Sequence, residues 1–394
     1  MTSVNQTSAN TSSIPHISWP ELPFAEDRAV GWAALRDAGP VVYEDPWYYF
    51  TRREDVLEAL RNPEVFSSKK AYDVLGSPLP LLPLSYDPPE HTRYRKILQP
   101  FFSPGTLSKI LPSLQQQAID IIKRACADDR CEVISELAMP YPSQVFLTMF
   151  GLPLADRDRL IAWKDAVIHL SEIPDMANAD LTPALELFAY LTESIADHRA
   201  NPRDDLLSSL LGGADPLDDN EALGLAFLFI LAGLDTVTGA LGMALLELAR
   251  NREICTHLRT HPQDTRLFVE EMVRLEPPAP LVVRATTREV QVGGMTVPAG
   301  SLVKLCMGGI NRDESDDTSA NHIVMDGKVH KHWGFGGGPH RCLGSHLARM
   351  ELTLIVNEWL ARVPDFSVEP GFVPCINWPA NTFGLARLPL LLHK

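Results

Sequence analysis

One cysteine in a glycine-rich stretch has the sequence context of a metal ligand. Cys342 lies in FGGGPHRCLG, residues 335–344, and a helical pattern follows at once. A cysteine at a helix start lies among unpaired backbone N–H groups and near the positive end of the helix dipole, and both stabilise a thiolate. A thiolate is a strong axial ligand for haem iron, and glycines would let the backbone lie flat against a large planar group. The alternative is a tight turn with an inert thiol.

The longest helical pattern, residues 222–250, carries polar residues in its middle. The pattern is apolar almost all round, which predicts a helix through the core. Yet AGLDT at 232–236 places a glycine, an aspartate and a threonine there, and such residues are costly inside an apolar helix. Thr236 could hydrogen-bond back to the preceding turn and merely bend the helix, or Asp235 and Thr236 could have a chemical function.

Two further pairs are spaced to meet on a helix face. His91 and Arg95 are four residues apart, after the sequence DPPE at 87–90, which predicts a helix start with an aspartate N-cap. Such a pair is usually part of a solvated polar face, but its charges also suit a carboxylate. Glu271 and Arg274, at i and i+3, can form an ion pair, which contributes little on a surface.

In combination these motifs resemble those of the cytochrome P450 superfamily, in its soluble bacterial, actinobacterial-type form. The pattern Phe-Gly-x-Gly-x-His-x-Cys-x-Gly, followed by Leu-Ala-Arg at 347–349, resembles the haem-ligand loop. The motifs HTxxR, AGxDT and ExxR occur in the expected order. The resemblance implies one catalytic domain, 16–394, of mainly α structure with small β-sheets (an α+β fold). It also implies haem b, held between the long central helix and the helix after the cysteine loop.

The resemblance assigns roles to individual residues. It implies that Cys342 is the axial thiolate ligand, that Asp235 and Thr236 relay protons to dioxygen, and that Glu271 and Arg274 form a buried structural pair. The implied cofactor-binding residues, four of them bases at the haem propionates, are His91, Arg95, Ala232, Gly233, Arg284, Phe335, Gly336, His340, Cys342 and Gly344. The implied substrate-pocket residues are Leu228, Leu231, Val282, Val283 and Phe383, together with the proline-rich loop 75–84.

The sequence departs from the family pattern at two places. Many members have a second hydroxyl residue after the helix threonine, where this chain has Val237. Many also have a Phe-Asp-x-x-Arg segment whose arginine joins the Glu-x-x-Arg pair, whereas residues 323–327 here are IVMDG. Lys328 or His330 could take the place of that arginine, and the sequence does not decide between them.

By resemblance the chain is a haem-thiolate monooxygenase that inserts one oxygen atom from O2 into an apolar small molecule. Electrons would come from a separate ferredoxin and its NAD(P)H-dependent reductase. Four cations near the cysteine would form a positive patch for an acidic ferredoxin, or else an ordinary solvated set of charges. These cations are Arg93, Lys96, Arg341 and Arg349.

Two other functions are compatible with a haem-binding chain. One is a peroxide-dependent or isomerising haem-thiolate enzyme, but such members usually lack the acid–alcohol pair that Asp235 and Thr236 would provide. The other is a non-catalytic, haem-based ligand-binding protein, which should carry a signalling or DNA-binding module. The sequence shows no sign of such a module.

Periodicity predicts the elements that must position these residues. The predicted helices cover 28–38, 53–60, 107–125, 143–150, 156–171, 183–198, 222–250, 265–275 and 346–360. The predicted strands cover 41–43, 47–50 and 302–307, with a hairpin at 289–297. By resemblance, the helices 156–171 and 183–198 and their connection 173–181 form a lid over the pocket.

Composition limits the partners and the compartment. With 35 basic and 50 acidic residues the net charge is −15, which argues against nucleic acid or an anionic membrane as a partner. None of the six cysteines has a C-x-x-C or zinc spacing, and scattered thiols fit a reducing cytoplasm. Residues 1–15 are predicted to be a disordered tail without signal-peptide features. The apolar run 223–234 is too short for a membrane span, so we expect no membrane anchor, and we expect a monomer.

Overall fold

The computed structural model describes residues 14–75, 80–170, 179–314 and 319–393. Most of the predicted tail, residues 76–79 of the proline-rich loop and most of the connection 173–181 lie outside the described residues. Within these residues α-helices dominate and small sheets flank them, so the predicted α+β class is confirmed.

Two helices, α10 (Asp219–Arg250) and α14 (Ser345–Arg362), position the site, and most of the longer helices pack against one or both of them. In chain order the α-helices are α1 (Arg28–Ala38), α2 (Arg53–Arg61), α3 (Ser68–Leu75), α4 (Glu90–Leu98), α5 (Pro104–Ala125), α6 (Pro140–Phe150), α7 (Arg157–Leu170), α8 (Thr182–Ala200), α9 (Leu206–Gly212), α10 (Asp219–Arg250), α11 (Arg252–Thr260), α12 (Thr265–Leu275), α13 (Met307–Asn311) and α14 (Ser345–Arg362).

The strands of the described residues form small sheets at the edges of the helical body. They are β1 (Val41–Glu44), β2 (Trp47–Phe50), β3 (Phe66–Ser67), β4 (Arg130–Glu132), β5 (Leu281–Thr286), β6 (Val290–Val292), β7 (Met295–Val297), β8 (Leu302–Cys306), β9 (Asp365–Val368) and β10 (Pro389–His393). The largest sheet has the order β1-β2-β8-β5-β3, in which only β2 and β8 are parallel neighbours. Strands β4, β10 and β9 form a second, antiparallel sheet, and β6 and β7 form the predicted hairpin.

Helix α10 crosses the molecule and joins two apolar cores. It begins with a capping box, in which Asp218 accepts the N–H of Glu221 at 2.8 Å and Glu221 accepts the N–H of Asp218 at 2.9 Å. Its first half packs with α6, α7, α8 and α9 around Leu225 and Ile230, and its second half packs with α12 and α14 around Leu241. By length and composition α10 could cross a membrane, but 56% of its most apolar stretch is buried in this fold, as expected for a core helix.

Proline and serine residues move two helix starts away from the apolar pattern. Helix α5 begins at Pro104, earlier than predicted, because the Ser103 hydroxyl accepts a backbone N–H of the first turn and proline fits that turn. Helix α6 begins at Pro140, directly after a π-helical turn at Ile134–Ala138. The apolar pattern located both helices but not their first turns.

The predicted aspartate cap of α4 is wrong. Helix α4 begins at Glu90 without a side-chain cap. Asp87 instead accepts hydrogen bonds from the Ser67 hydroxyl and, at 2.8 Å, from the N–H of Ser68. Asp87 therefore joins the start of α3 to the segment before α4. The residues in this contact are about 20 positions apart, so the short sequence pattern around Asp87 does not reveal it.

Candidate active site

A cavity of about 270 Å³ lies between α10 and the cysteine loop. Its walls come from α4, α6, α10, the loop before α14 and the first turns of α14, and most of their side chains are apolar. Nine of the predicted site residues line it, namely His91, Arg95, Leu228, Ala232, Gly233, Thr236, His340, Cys342 and Gly344.

The glycine loop presents Cys342 to this cavity. The N–H of Cys342 donates to the carbonyl oxygen of Phe335 at 2.8 Å, which closes the loop. Desolvation by the surrounding protein raises the pKa of the thiol, whereas a hydrogen bond from the Gly344 N–H and the charges of nearby arginines oppose the rise. The sulfur thus lies in a site of low polarity with a backbone donor that favours the thiolate.

Two glycines of the loop occupy positions where a side chain would not fit. Gly336 has a φ of 73° and Gly338 has a φ of 64°, both in the region that favours glycine. A Cβ on Gly338 would also overlap the carbonyl oxygen of Leu60 in α2. The tight turn requires glycine at both positions, and the contact with α2 is a second reason for Gly338.

The four bases predicted to bind propionates come together at one edge of the cavity. The rings of His91 and His340 lie 4.1 Å apart. Burial lowers the pKa of His91 to about 4 and that of His340 to about 2, and the charges of Arg95 and Arg284 add to the effect. Burial also lowers the pKa values of the two arginines.

This base cluster fits a group that carries two carboxylates. Within the described part of the chain, both ring nitrogens of His91 and Nε2 of His340 are buried without a hydrogen-bond partner. Arg284 is 2% exposed, and its Nη1 donates to the carbonyl of Val283 at 2.7 Å. Buried cations and donors without acceptors are unfavourable, and the propionates of a haem would supply both acceptors and charge. The residues present therefore fit the haem predicted from the sequence.

The wall formed by α10 combines a small residue with a hydroxyl group. Thr236 Oγ1 donates to the carbonyl of Ala232 at 2.8 Å, so the back-bonding that the sequence allowed is observed. A side chain added to Gly233 would meet open space, so the helix surface here faces the cavity. Val237, in the position of a second hydroxyl residue, lines the cavity as well. The Thr236 oxygen keeps a lone pair that can accept a hydrogen bond.

Asp235 is held by a lysine that the sequence reasoning did not identify. Lys164 on α7 is 4% exposed; it forms an ion pair with Asp235 and another with Asp165 at 2.6 Å. Burial acts to lower the pKa of Lys164, but the two carboxylates outweigh it and the pKa is raised. The contact ties one of the predicted lid helices to α10 beside Thr236.

Backbone groups complete the buried pair of Glu271 and Arg274. Arg274 Nη2 lies 2.7 Å from Glu271 Oε2, and the guanidinium also donates to the carbonyls of Ala320 at 2.7 Å and His322 at 2.6 Å. The N–H of Val324 donates to Glu271 at 2.8 Å. Main-chain atoms of residues 320–324 thus contact this pair, for which the family resemblance implies an additional arginine.

Neither Lys328 nor His330 substitutes for that arginine within the described contacts. His330 Nε2 and the N–H of Lys328 bind Asp326 instead, at 3.1 and 3.0 Å. A third residue, His332, binds the carboxylate next to Glu271, with its Nε2 2.9 Å from Glu270 Oε2. The anchoring of this segment therefore differs from both alternatives.

The structure places four predicted pocket residues away from the described lining of this cavity. Leu231 packs in the core around the first half of α10, and Val282 and Val283 pack against cores beside the largest sheet. Phe383 is 4% exposed and packs against Phe24, with ring centres 5.5 Å apart. Their positions in the sequence motif did not show which neighbours would cover their side chains.

Several wall residues were not identified from the sequence. An aromatic and thioether group covers one end of the cavity and consists of Phe102, Phe146, Met149, Phe150 and Phe229. Glu351 on α14 is 3% exposed, and burial raises its pKa to about 8. Glu351 is four residues after Leu347, another wall residue, so both lie on the same face of α14. This spacing could have identified Glu351 from the sequence.

A thiol on one wall, a hydroxyl-bearing helix on the other and carboxylate-binding bases at the edge together define a haem-thiolate protein. A family model described as cytochrome P450 matches residues 49–316 and 318–387. The chain belongs to the cytochrome P450 family, whose cofactor is haem b with a cysteine thiolate as axial ligand and whose members are monooxygenases.

Bacterial relatives and solved structures support this assignment. Probable cytochrome P450 127A1 of Sinorhizobium fredii is 30% identical over 374 residues, which cover 91% of this chain and 88% of the relative. Cytochrome P450 107B1 of Saccharopolyspora erythraea is 30% identical over 405 residues, covering 96% and 98%. A mutant of P450 EryK from S. erythraea, in complex with erythromycin B, superposes with a TM-score of 0.85 at 28% identity, covering 95% of this chain and 98% of that one.

Proposed function

We propose that this cytochrome P450 inserts one oxygen atom from O2 into an apolar small molecule, with Cys342 as the axial ligand of its haem. The observation that carries the proposal is the exposure of Cys342 to a cavity whose other wall is formed by Ala232, Gly233 and Thr236. When bound, haem supplies O2 activation, to which a thiolate ligand contributes electron density. The residues of the chain hold the cofactor and move protons.

Four residues at the cavity edge would hold the two propionates of a bound haem by charge-assisted hydrogen bonds, namely His91, Arg95, Arg284 and His340. Cys342 would hold the iron. The Gly344 N–H donates to the sulfur of Cys342, which would limit how strongly the thiolate donates electrons. Phe335 and Gly336 shape the loop that carries this cysteine, and Ala232 and Gly233 leave space beside α10.

Asp235 and Thr236 deliver protons into the cavity. Because the Thr236 hydroxyl donates its proton to the carbonyl of Ala232, its oxygen can accept a hydrogen bond from a water molecule in the cavity. Asp235 is paired with Lys164, so it can carry a proton only after the lysine moves away and water takes its place. Val237 has no hydroxyl group, so proton transfer depends more on Asp235 and water.

The substrate is apolar. This is supported by the phenylalanine, leucine, methionine and valine side chains of the cavity wall, since apolar walls with a few polar groups select apolar ligands. P450 EryK, which shares the fold, was solved with erythromycin B. We expect a terpenoid, steroid, lipid or aromatic compound.

The protein works in the cytoplasm and receives its electrons from a ferredoxin and the NAD(P)H-dependent reductase of that ferredoxin. Two of the four cations in the predicted patch are already paired, since Arg93 binds Asp215 and Glu221 at 2.8 and 2.7 Å and Arg349 binds Glu270. The remaining two, Lys96 and Arg341, are exposed. A smaller positive patch next to the cysteine loop is therefore the proposed docking site.

The carbon monoxide difference spectrum of the reduced protein tests the axial ligand. The thiolate-shifted band should be present in the unmodified protein and in a Cys375→Ala control, which removes another exposed thiol, and absent in Cys342→Ala. A screen for substrate by Soret shift follows, with product analysis under ferredoxin, reductase and NAD(P)H or under peroxide alone. Product from peroxide but never from the ferredoxin system would favour the peroxide-dependent alternative, and binding without any product would favour a ligand-binding protein.

The proton relay predicts a defect in coupling for Thr236→Ala. Consumption of NAD(P)H should continue while product per electron pair falls about 100-fold and peroxide release rises, the lower end of the effect of one general acid or base. Thr238→Ala is the matched control, because Thr238 lies on the same helix and its hydroxyl binds the carbonyls of Ala138 and Leu234. Equal coupling in the two variants would contradict the relay.

A further inference from the structure

Glu270 lies at the centre of a buried ionic contact that the haem-binding residues do not include. It precedes Glu271 on α12 and is 6% exposed. Arg349 of α14 binds it through two contacts, Nε to Oε1 at 2.6 Å and Nη2 to Oε2 at 3.0 Å. His332 donates to the same carboxylate at 2.9 Å. One carboxylate thus joins α12, α14 and the segment before the cysteine loop.

The hydrogen bonds fix the protonation states of these groups. The N–H of Gly334 can only donate, and it lies 3.1 Å from His332 Nδ1, so Nδ1 accepts and the ring proton is on Nε2. Burial acts to raise the pKa of Glu270, but hydrogen bonds from His332 and Arg349 outweigh it and lower the pKa to about 2. The contact therefore consists of one anion, one cation and one neutral imidazole.

The same two side chains contact Phe335, the first residue of the cysteine loop. The guanidinium carbon of Arg349 lies 4.2 Å from the centre of the Phe335 ring, a cation–π contact. The ring of His332 lies 5.9 Å from that of Phe335. The carbonyl of Phe335 accepts the N–H of Cys342 at 2.8 Å. Phe335 therefore connects the ionic contact around Glu270 to Cys342.

The same contacts place a positive charge close to the cysteine loop. The Arg349 guanidinium lies against the ring of Phe335, whose carbonyl accepts the Cys342 N–H. A cation near a thiolate-bound haem stabilises the more negative, reduced state, because the added electron is attracted to it. A carboxylate held against that cation cancels much of its field at the sulfur.

We propose that Glu270, His332 and Arg349 are positioning residues that fix the cysteine loop and set the reduction potential of the bound haem. Glu270 does so by balancing the charge of Arg349, and His332 by orienting Glu270 and Phe335. The inference rests on the proposed function, because it requires Cys342 to be the axial ligand.

The test measures the reduction potential of the haem-loaded protein in three single variants and one double variant. Glu270→Gln keeps the size and the acceptor of the side chain and removes its charge, so the potential should rise. Arg349→Met leaves the Glu270 charge unbalanced, so the potential should fall. Each change should alter the ratio of reduced to oxidised protein at a fixed applied potential by about three- to tenfold, the scale of one partly screened charge. The double variant should return towards the unmodified protein.

Arg349→Lys separates charge from geometry, since lysine keeps the charge but loses the planar fork. Its potential should lie close to that of the unmodified protein, although its thermal stability falls. Equal shifts in Arg349→Lys and Arg349→Met would overturn the proposal, because they would trace the effect to lost packing. Shifts of the same sign in Glu270→Gln and Arg349→Met, or no shift in either, would overturn it as well.

The outcome is distinguishable from a failure of the proposed function. If the unmodified protein lacks the thiolate-shifted carbon monoxide band, Cys342 is not the ligand and the proposed function fails. If that band is present in the unmodified protein and in the variants while the potentials do not move with charge, only the present inference fails. If Glu270→Gln does not fold, the comparison of the two Arg349 variants decides.

Discussion

Four basic residues lie together at one edge of the cavity, two of them buried and two half-buried, so we expect single substitutions among them to change how tightly the protein retains haem. Arg95 belongs to this cluster, and burial lowers its pKa. Arg95→Gln should therefore remove one charge-assisted hydrogen bond to a propionate, a loss of about 1.5–3 kcal/mol or roughly 10- to 150-fold in haem affinity. The rate of haem transfer to an excess of apomyoglobin measures the effect.

Arg93 provides the matched control for that substitution. It is two residues earlier on the same helix, but its guanidinium binds Asp215 and Glu221. Arg93→Gln should leave haem transfer close to that of the unmodified protein. If both variants release haem at the same rate, the cluster does not bind the propionates.

Glu351 should make the folded protein less stable as the pH rises. Its pKa is raised from 4.5 to about 8 by burial, so between these pH values the unfolded chain has lost its proton and the folded chain has kept it. Stability contributed by the neutral carboxyl is thus complete below about pH 4.5 and is lost as the pH rises towards 8. Relative to the unmodified protein, Glu351→Gln should gain about 3 kcal/mol between pH 5 and pH 8.

Denaturant unfolding at the two pH values measures this difference. Glu193→Gln, a substitution of an exposed carboxylate on α8, is the control and should show no comparable gain. A Glu351→Gln variant whose stability follows that of the unmodified protein at both pH values would mean that Glu351 is ionised in the folded state.

The sequence located the residues of local motifs but not their distant partners. His91 and Arg95 were placed together because four residues make one helix turn, and Cys342 because its loop motif is continuous in the chain. Lys164 was missed because it is separated from Asp235 by 71 residues, and His332 because it is separated from Glu270 by 62. Neither pair has a periodic signal that connects the two segments.

At the scale of elements, apolar periodicity found the longer helices but missed the short helices α3, α9, α11 and α13, and it did not show which face of each helix is packed. Helix α10 was predicted correctly because an apolar run of that length has few alternatives. Strand β5 shows what apolar periodicity does not predict, namely which neighbours cover an apolar side chain. Val282 and Val283 pack against sheet cores, and no feature of their sequence distinguishes a sheet core from a pocket wall.

The packing of the segment 80–84 on α10 leads to a prediction at Gly224. A Cβ on Gly224 would overlap the carbonyl oxygen of Pro80, while Pro83 and Leu84 line the cavity. Alanine normally favours a helix over glycine, but here Gly224→Ala must displace the segment, at a cost of about 1–3 kcal/mol. Denaturant unfolding measures the loss.

Gly105 in α5 is the control, because it has space for a side chain. A Cβ there would meet nothing within 4 Å, so Gly105→Ala should be neutral or stabilise the protein by up to about 1 kcal/mol. If Gly224→Ala were as stable as Gly105→Ala, the segment 80–84 would not be packed against α10 in solution. The two substitutions are the same chemical change in a helix, so we attribute the opposite expected changes in stability to the neighbouring atoms.

At the scale of the whole molecule, the net charge of −15 makes the exposed cations assigned to the positive patch important for the proposed docking of ferredoxin. An acidic ferredoxin is repelled by most of this surface, so productive encounters require a local positive site. Arg93 and Arg349 are neutralised by their partners, which leaves Lys96 and Arg341. Arg341 is next to Cys342 in the chain, so reversing its charge is the most direct test of this docking site.

Arg341→Glu should slow reduction by ferredoxin about 10- to 100-fold at low ionic strength, with the difference shrinking as salt screens the charges. Lys123→Glu, which makes the same change in net charge at the end of α5, is the control and should have a much smaller effect. Stopped-flow reduction measures both variants, and reduction by dithionite shows whether the haem itself is altered. Because the two variants have the same total charge, equal slowing would mean that the global charge governs docking, and the proposed patch would then be wrong.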